Sequence, residues 1–135
     1  AAIKRAARLG SGWIGGIAGP SEVKRVIEGI KSEAAKCGRS IDSDHYGASL
    51  AFRVGTLSDN AVVNSPFVKR TGIGEDLDIN PLIAIGTTDE LVDRLREYIE
   101  IGATKFVMFP IVDSWKDMVK QTQFIVEEVI PQVEN

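Results

Sequence analysis

Residues Tyr46 to Val54 set the tightest limit on the fold. Tyr46, Ala48, Leu50, Phe52 and Val54 alternate with Gly47, Ser49, Ala51 and Arg53. Alternation with a period of two predicts a strand. One face is bulky and apolar, the other small or polar. Both are nearly free of charge, so both are expected to be covered by other layers. Arg53 is the exception, at the strand's C-terminal end.

The flanking segments supply those layers. Ala1 to Leu9 is helix-favouring throughout, and Gly10 stops it. No capping residue and no initiator Met precede it, which reads as a chain that has lost upstream residues. Trp13-Ile14 is a short apolar step entering the Gly-rich stretch Gly15 to Pro20. Ser21 then reads as the N-cap of a helix carrying Val23, Val26, Ile27, Ile30, Ala34 and Cys37 at helical spacing, closed by Gly38. Thr87 with Glu90 fits a capping box. The helix behind it aligns Leu91, Val92, Leu95, Tyr98 and Ile99 and ends at Gly102. Lys105 to Pro110 is almost wholly apolar and predicts a buried strand. Asp113 or Ser114 caps a last helix whose inner stripe is Trp115, Met118, Val119, Thr122, Ile125, Val126 and Val129.

The order is helix, strand, helix, strand, long loop, helix, strand, helix. Strands that alternate with helices imply an α/β fold with a parallel sheet. About three strands suit an open layer or part of a (β/α) barrel. Residues 55 to 85 form the long loop or insertion of a single domain over 1 to 135. A connection of that length is expected to be functional, to hold short helices or to be mobile.

Composition narrows the partners. With 16 Lys and Arg against 19 Asp and Glu the net charge is −3, without the basic clusters that phosphate backbones require. Nucleic acid is not expected as a partner. No apolar run approaches a membrane span, and no leader segment is visible. The lone Cys37 cannot form an internal disulfide, which fits a cytoplasmic protein. With one Cys and one His, the common zinc ligand sets are excluded and no metal is expected. Cys37 reads as a small buried residue near a helix end. His45 precedes a strand, at the end away from ligands.

Three stretches, taken together, resemble one family. Ala6-Ala7-Arg8-Leu9-Gly10-Ser11-Gly12-Trp13-Ile14 is similar to the AARLGDGW element of the luciferase-like flavin and deazaflavin oxidoreductases. Gly86 to Leu95 resembles that family's GTPEEVAERL helix start. Gly102 to Pro110 resembles its GATKFVLFP final strand. The three occur in the family's order and span nearly the whole chain, least clearly over 55 to 85. The resemblance implies the C-terminal part of a (β/α)8 TIM barrel. It implies an oxidoreductase using FMN or coenzyme F420 for hydride transfer or monooxygenation of a small-molecule substrate. Most of that family's cofactor contacts lie on earlier strands, so this part is expected to be incomplete as a catalyst alone. Three strands of an eight-stranded barrel leave open edges. The chain is therefore expected to form a homo-oligomer or to bind a complementary barrel fragment. The alternative is a non-catalytic half-barrel module that self-associates or holds a phosphate-bearing ligand. A small phosphate-ester-binding α/β enzyme is a third reading, by fold analogy.

Ligands of parallel sheets bind at the C-terminal ends of the strands. Gly15, Gly16 and Gly19 are the candidate cofactor contacts, since a Gly-rich turn before a helix can hold a phosphate on backbone N–H groups. The competing reading is a tight turn. Arg53, Lys69 and Arg70 are candidate substrate contacts. Arg53 could instead pair with the acidic run Glu75 to Asp78, and Lys69 and Arg70 could belong to a solvated loop. Trp13 and Trp115 are read as core residues, and Asp113 as a helix cap. No catalytic base is assigned.

Overall fold

The computed structural model describes residues 1–56 and 82–134. The elements run α1 (Ala2–Leu9), β1 (Trp13–Ile17), α2 (Pro20–Lys36), β2 (Tyr46–Val54), β3 (Ile83–Gly86), α3 (Thr88–Glu100), β4 (Lys105–Pro110) and α4 (Trp115–Phe124). A π-helical stretch, Ile125–Val129, and a short turn of α-helix, Ile130–Val133, follow α4. The expected strand and helix alternation is present. A fourth, four-residue strand, β3, lies at the end of the 55 to 85 stretch, where the sequence showed only a loop.

The sheet is organised on β2. β1 and β3 both pair with it in parallel, along successive stretches. Trp13 lies opposite Tyr46 and Ile14 opposite Gly47, then the register shifts so that Ile17 faces Ser49. Ala51 to Val54 face Ile83 to Gly86. β4 also pairs with β2. Thr104 N–H donates to the Tyr46 carbonyl at 2.8 Å, and Ile111 N–H donates to the Phe52 carbonyl at 2.8 Å.

The described residues form two compact units. In the first, residues 1–49 and 97–107, helix α2 buries Val23, Ile27, Ile30 and Ala34, and β2 buries Tyr46 and Ala48. α2 starts one residue before Ser21. Gly19 is the N-cap and Pro20 the first helical residue, because the proline ring presets the helical φ and has no N–H to leave unpaired. At its other end, Gly38 takes φ +66°. Its N–H donates to Ala35 and the next N–H, of Arg39, to Ala34, which closes the helix in a Schellman pattern. The Arg39 guanidinium then donates to the carbonyls of Ala7 and Gly10 at 2.8 and 3.0 Å, satisfying the end of α1. Cys37 corrects its expectation. It occupies the C-cap position and is exposed, because the inward stripe of α2 ends at Ala34.

In the second unit, whose described residues are 50–56, 82–96 and 108–134, Leu50, Phe52, Leu91, Val92, Leu95, Ile125 and Val129 are buried. Ala51, Ile83 and Ile111 form a small cluster joined by Leu82 and Ile85. The capping box forms as expected. Thr87 N–H donates to the Glu90 carboxylate at 2.7 Å, and Glu90 N–H donates to the Thr87 hydroxyl at 3.3 Å.

Two buried-segment expectations are corrected. β4 is covered on one side only. Phe106 packs edge-on to Tyr98 with ring centroids 6.3 Å apart, whereas Val107 alternates to the open side and is 38% exposed. The last helix is turned from the predicted stripe. Gln121, Ile125 and Val129 face inward, while Trp115, Val119 and Val126 face out at 77%, 44% and 56% exposure.

Candidate functional site

The C-terminal ends of the strands carry two groups of residues, one in each unit. In the first unit, Gly15 and Gly16 belong to strand β1, not to a turn. They sit where the register slips between Ile14 and Ile17, so the pair forms a β-bulge. Gly15 is buried beneath the Trp13 ring, and a Cβ there would lie 2.6 Å from Trp13 Cη2. Its carbonyl accepts the buried Ser49 hydroxyl at 2.6 Å. Gly16 is exposed, and a Cβ there would meet nothing within 4 Å. The strand thus offers bare backbone to open space at Gly16. The Tyr98 hydroxyl donates to Ala18 at 2.7 Å and holds the chain entering α2.

Gly19 caps α2, and its carbonyl accepts the N–H groups of Glu22 and Val23, both at 3.1 Å. Pro20 brings no N–H. An anion at this helix start would therefore meet the N–H groups of Gly19 and Ser21 and the Ser21 hydroxyl. Glu22 stands in the first turn, but the Arg25 guanidinium binds it at 2.5 and 2.8 Å and holds its carboxyl below the ordinary value. That pairing offsets the charge that would repel an anion. Bare backbone at Gly16 and a neutralised helix start fit a flat, phosphate-bearing cofactor.

In the second unit, Arg53 is the next-to-last residue of β2. Its Nη1 donates to Asp117 at 2.5 Å and to the Ile111 carbonyl at 2.9 Å, and its Nε donates to Thr56 at 3.0 Å. Nη2 makes no hydrogen bond to a described residue. The pair is largely enclosed, with side chains 14% and 16% exposed. Asp117 also accepts the Asp113 N–H. Burial pushes the Asp117 carboxyl up, but Arg53 and that N–H outweigh it and hold the carboxyl below its ordinary value. Ser114, not Asp113, caps α4, through the Asp117 N–H at 3.2 Å.

Gln121 completes this group, and sequence reasoning missed it. Its amide accepts from Val54 N–H at 2.8 Å and donates to the Val54 carbonyl at 3.0 Å, replacing a neighbouring strand. Its position beside Ile125 at helical spacing was the available signal, masked by its polarity. Lys69, Arg70 and the acidic run Glu75 to Asp78 lie outside the described residues.

At the opposite end of the first unit's strands, Asp42, Asp44 and His45 bring ligand-type atoms within 4.8 Å of one another. His45 Nδ1 donates to Ser11 at 2.7 Å, and the Lys105 ammonium binds both the Asp44 carbonyl and, at 3.7 Å, its carboxylate. An ammonium ion of the protein itself thus balances this cluster.

No protein-family model matches the chain, and no curated protein matches it by sequence. Solved structures do match. An F420-dependent secondary alcohol dehydrogenase bound to an F420-acetone adduct aligns with 98% of this chain at a TM-score of 0.73 and 17% identity. The FMN-bound oxygenating constituent of 3,6-diketocamphane monooxygenase from Pseudomonas putida aligns with 97%, at 0.70 and 15% identity. A long-chain alkane monooxygenase aligns with 98%, at 0.59 and 18% identity. The aligned region is 46%, 45% and 38% of those three chains. The fold is therefore that of part of a TIM barrel, and the chain spans less than half the length of these three structures. No helix among the described residues is long and apolar enough to cross a membrane.

Proposed function

We propose that this chain is the C-terminal part of a luciferase-like oxidoreductase that uses FMN or coenzyme F420 on a small-molecule substrate, by hydride transfer or monooxygenation. The observation that carries the reading is the alignment of nearly the whole chain with both an F420-dependent dehydrogenase and an FMN-bound monooxygenase. When bound, such a cofactor supplies the redox chemistry, and the protein supplies binding and orientation.

In this reading Gly16 admits the cofactor to bare backbone, Gly15 keeps the bulge in shape, and Gly19 with Ser21 receives its phosphate. The Nη2 group of Arg53 meets a polar group of the substrate, with Asp117 fixing the guanidinium. Lys69 and Arg70 add positive charge for the same substrate. The protein works in the cytoplasm, consistent with its single free thiol. The partner is a further copy of the chain or a complementary barrel fragment.

The test is titration of the purified chain with FMN and with oxidised F420, followed by cofactor fluorescence and calorimetry. Saturable binding of one cofactor at micromolar concentration is expected. Failure of both to bind would leave the second reading, a non-catalytic half-barrel module, which the open side of β4 at Val107 favours.

A further inference from the structure

The bulge in β1 is anchored by two buried hydroxyl groups that come from different elements. β1 advances three residues, from Ile14 to Ile17, while β2 advances two, from Gly47 to Ser49, so one residue of β1 is left out of the ladder. Two adjacent glycines restrict its conformation least of all residues. The shape of the bulge must therefore be set from outside the strand.

Ser49 lies on the small-residue face of β2, 7% exposed, and donates to the Gly15 carbonyl at 2.6 Å. A buried hydroxyl is costly without a partner, so this bond resists any rotation of the Gly15 carbonyl. Three residues on, the fully buried Tyr98 of α3 donates to the Ala18 carbonyl at 2.7 Å. Only Gly16 and Ile17 lie between the two anchored residues. Gly16 faces open space there.

We infer that Ser49 and Tyr98 are positioning residues for the cofactor. Their hydroxyls fix Gly15 and Ala18, and so set the direction in which the Gly16 backbone meets the ring. The inference rests on the reading that Gly16 admits a flavin or deazaflavin. Both residues act through the strand, since each hydroxyl is committed to a main-chain carbonyl. A small rotation at Gly16 would turn the bound ring as well as weaken its binding.

The experiment compares the whole wild-type chain with Ser49→Ala and Tyr98→Phe, each of which removes one hydroxyl. Hydrogen exchange is measured first, without cofactor. Residues 13–18 should exchange about tenfold faster in each variant, the effect of losing one hydrogen bond of ordinary net strength, while residues 51–54 stay as protected as in the wild type. Titration with FMN and with oxidised F420 should then show about tenfold weaker binding of whichever cofactor the wild type takes. At saturating cofactor, the visible circular dichroism of the bound ring should differ from the wild type in both variants, which a loss of stability alone would not produce. If Ser49→Ala fails to fold, Tyr98→Phe carries the same test from the other carbonyl. Unchanged exchange overturns the anchors, whatever the cofactor does. Faster exchange with wild-type binding and dichroism overturns the positioning role and leaves the cofactor reading standing. A wild type that binds neither cofactor overturns that reading, and the positioning role with it.

Discussion

Arg53, on the strand that organises the sheet, and Asp117, on the last helix, meet at 2.5 Å across 64 residues of sequence. The contact ties the C-terminal end of β2 to α4. Breaking an enclosed pair leaves an uncompensated charge. Asp117→Ala should therefore destabilise the second unit by about 3 kcal/mol, the low end for such pairs because both side chains keep some exposure. Urea unfolding followed by circular dichroism measures it. An unchanged midpoint would show the pair to be incidental.

The same pair fixes a pH dependence. The folded Asp117 carboxyl titrates below its ordinary value, so the unfolded chain binds the proton more readily. The pair's contribution is full above the unfolded value of about 3.9 and fades as pH falls through the lower folded value. The stability gap between wild type and Asp117→Asn should be constant from pH 7 to about 5 and close as acid is added. A gap that widens in acid would reverse the assigned sign.

Gln121→Leu should cost about 2 kcal/mol, because it strips both half-buried Val54 backbone groups of their partners. Amide exchange at Val54 should accelerate while Ala51, within the sheet, stays protected. Equal acceleration at both would mean the whole strand has loosened.

Tyr46 gives a prediction of the opposite sign. Its ring is fully buried, its hydroxyl has no hydrogen-bond partner among the described residues, and burial pushes the phenol pKa up. Removing an unpaired buried hydroxyl relieves a cost. Tyr46→Phe should leave stability unchanged or raise it by about 1 kcal/mol. A clear loss in calorimetry would reveal a partner for that oxygen.

Much of this architecture was legible in the sequence, for identifiable reasons. The Tyr46 to Val54 alternation and the Thr87 capping box are local patterns whose meaning does not depend on distant residues. The misreadings come from long-range packing. Four residues, Ile83 to Gly86, are too few to show a period and become a strand only against β2. Trp115, Val119 and Val126 have helical spacing, but two apolar stripes shared one helix, and Gln121 turned the other inward by bonding Val54. Lys105 to Pro110 is apolar on both faces, as a strand inside a closed barrel must be, yet only one face is covered here. Arg53 is legible as the chemical outlier of its strand, whereas its partner Asp117, three residues after the Ser114 cap, reads only as a residue of the helix's first turn.

The two adjacent glycines of β1 should behave differently. Gly15→Ala sets a methyl group against the Trp13 ring and should cost about 1–3 kcal/mol, with altered Trp fluorescence. Tolerance of that change with unaltered fluorescence would mean the ring is free to move.

Gly16→Val separates cofactor binding from folding, because its side chain would enter open space and leave the packing alone. The measurement is calorimetric titration of wild type and Gly16→Val with FMN and F420 under identical conditions. Saturable micromolar binding of one cofactor to the wild type is expected, with its loss in Gly16→Val and the same unfolding midpoint for both proteins. Equal binding by the two proteins, or binding by neither, would rule out a cofactor site at Gly16.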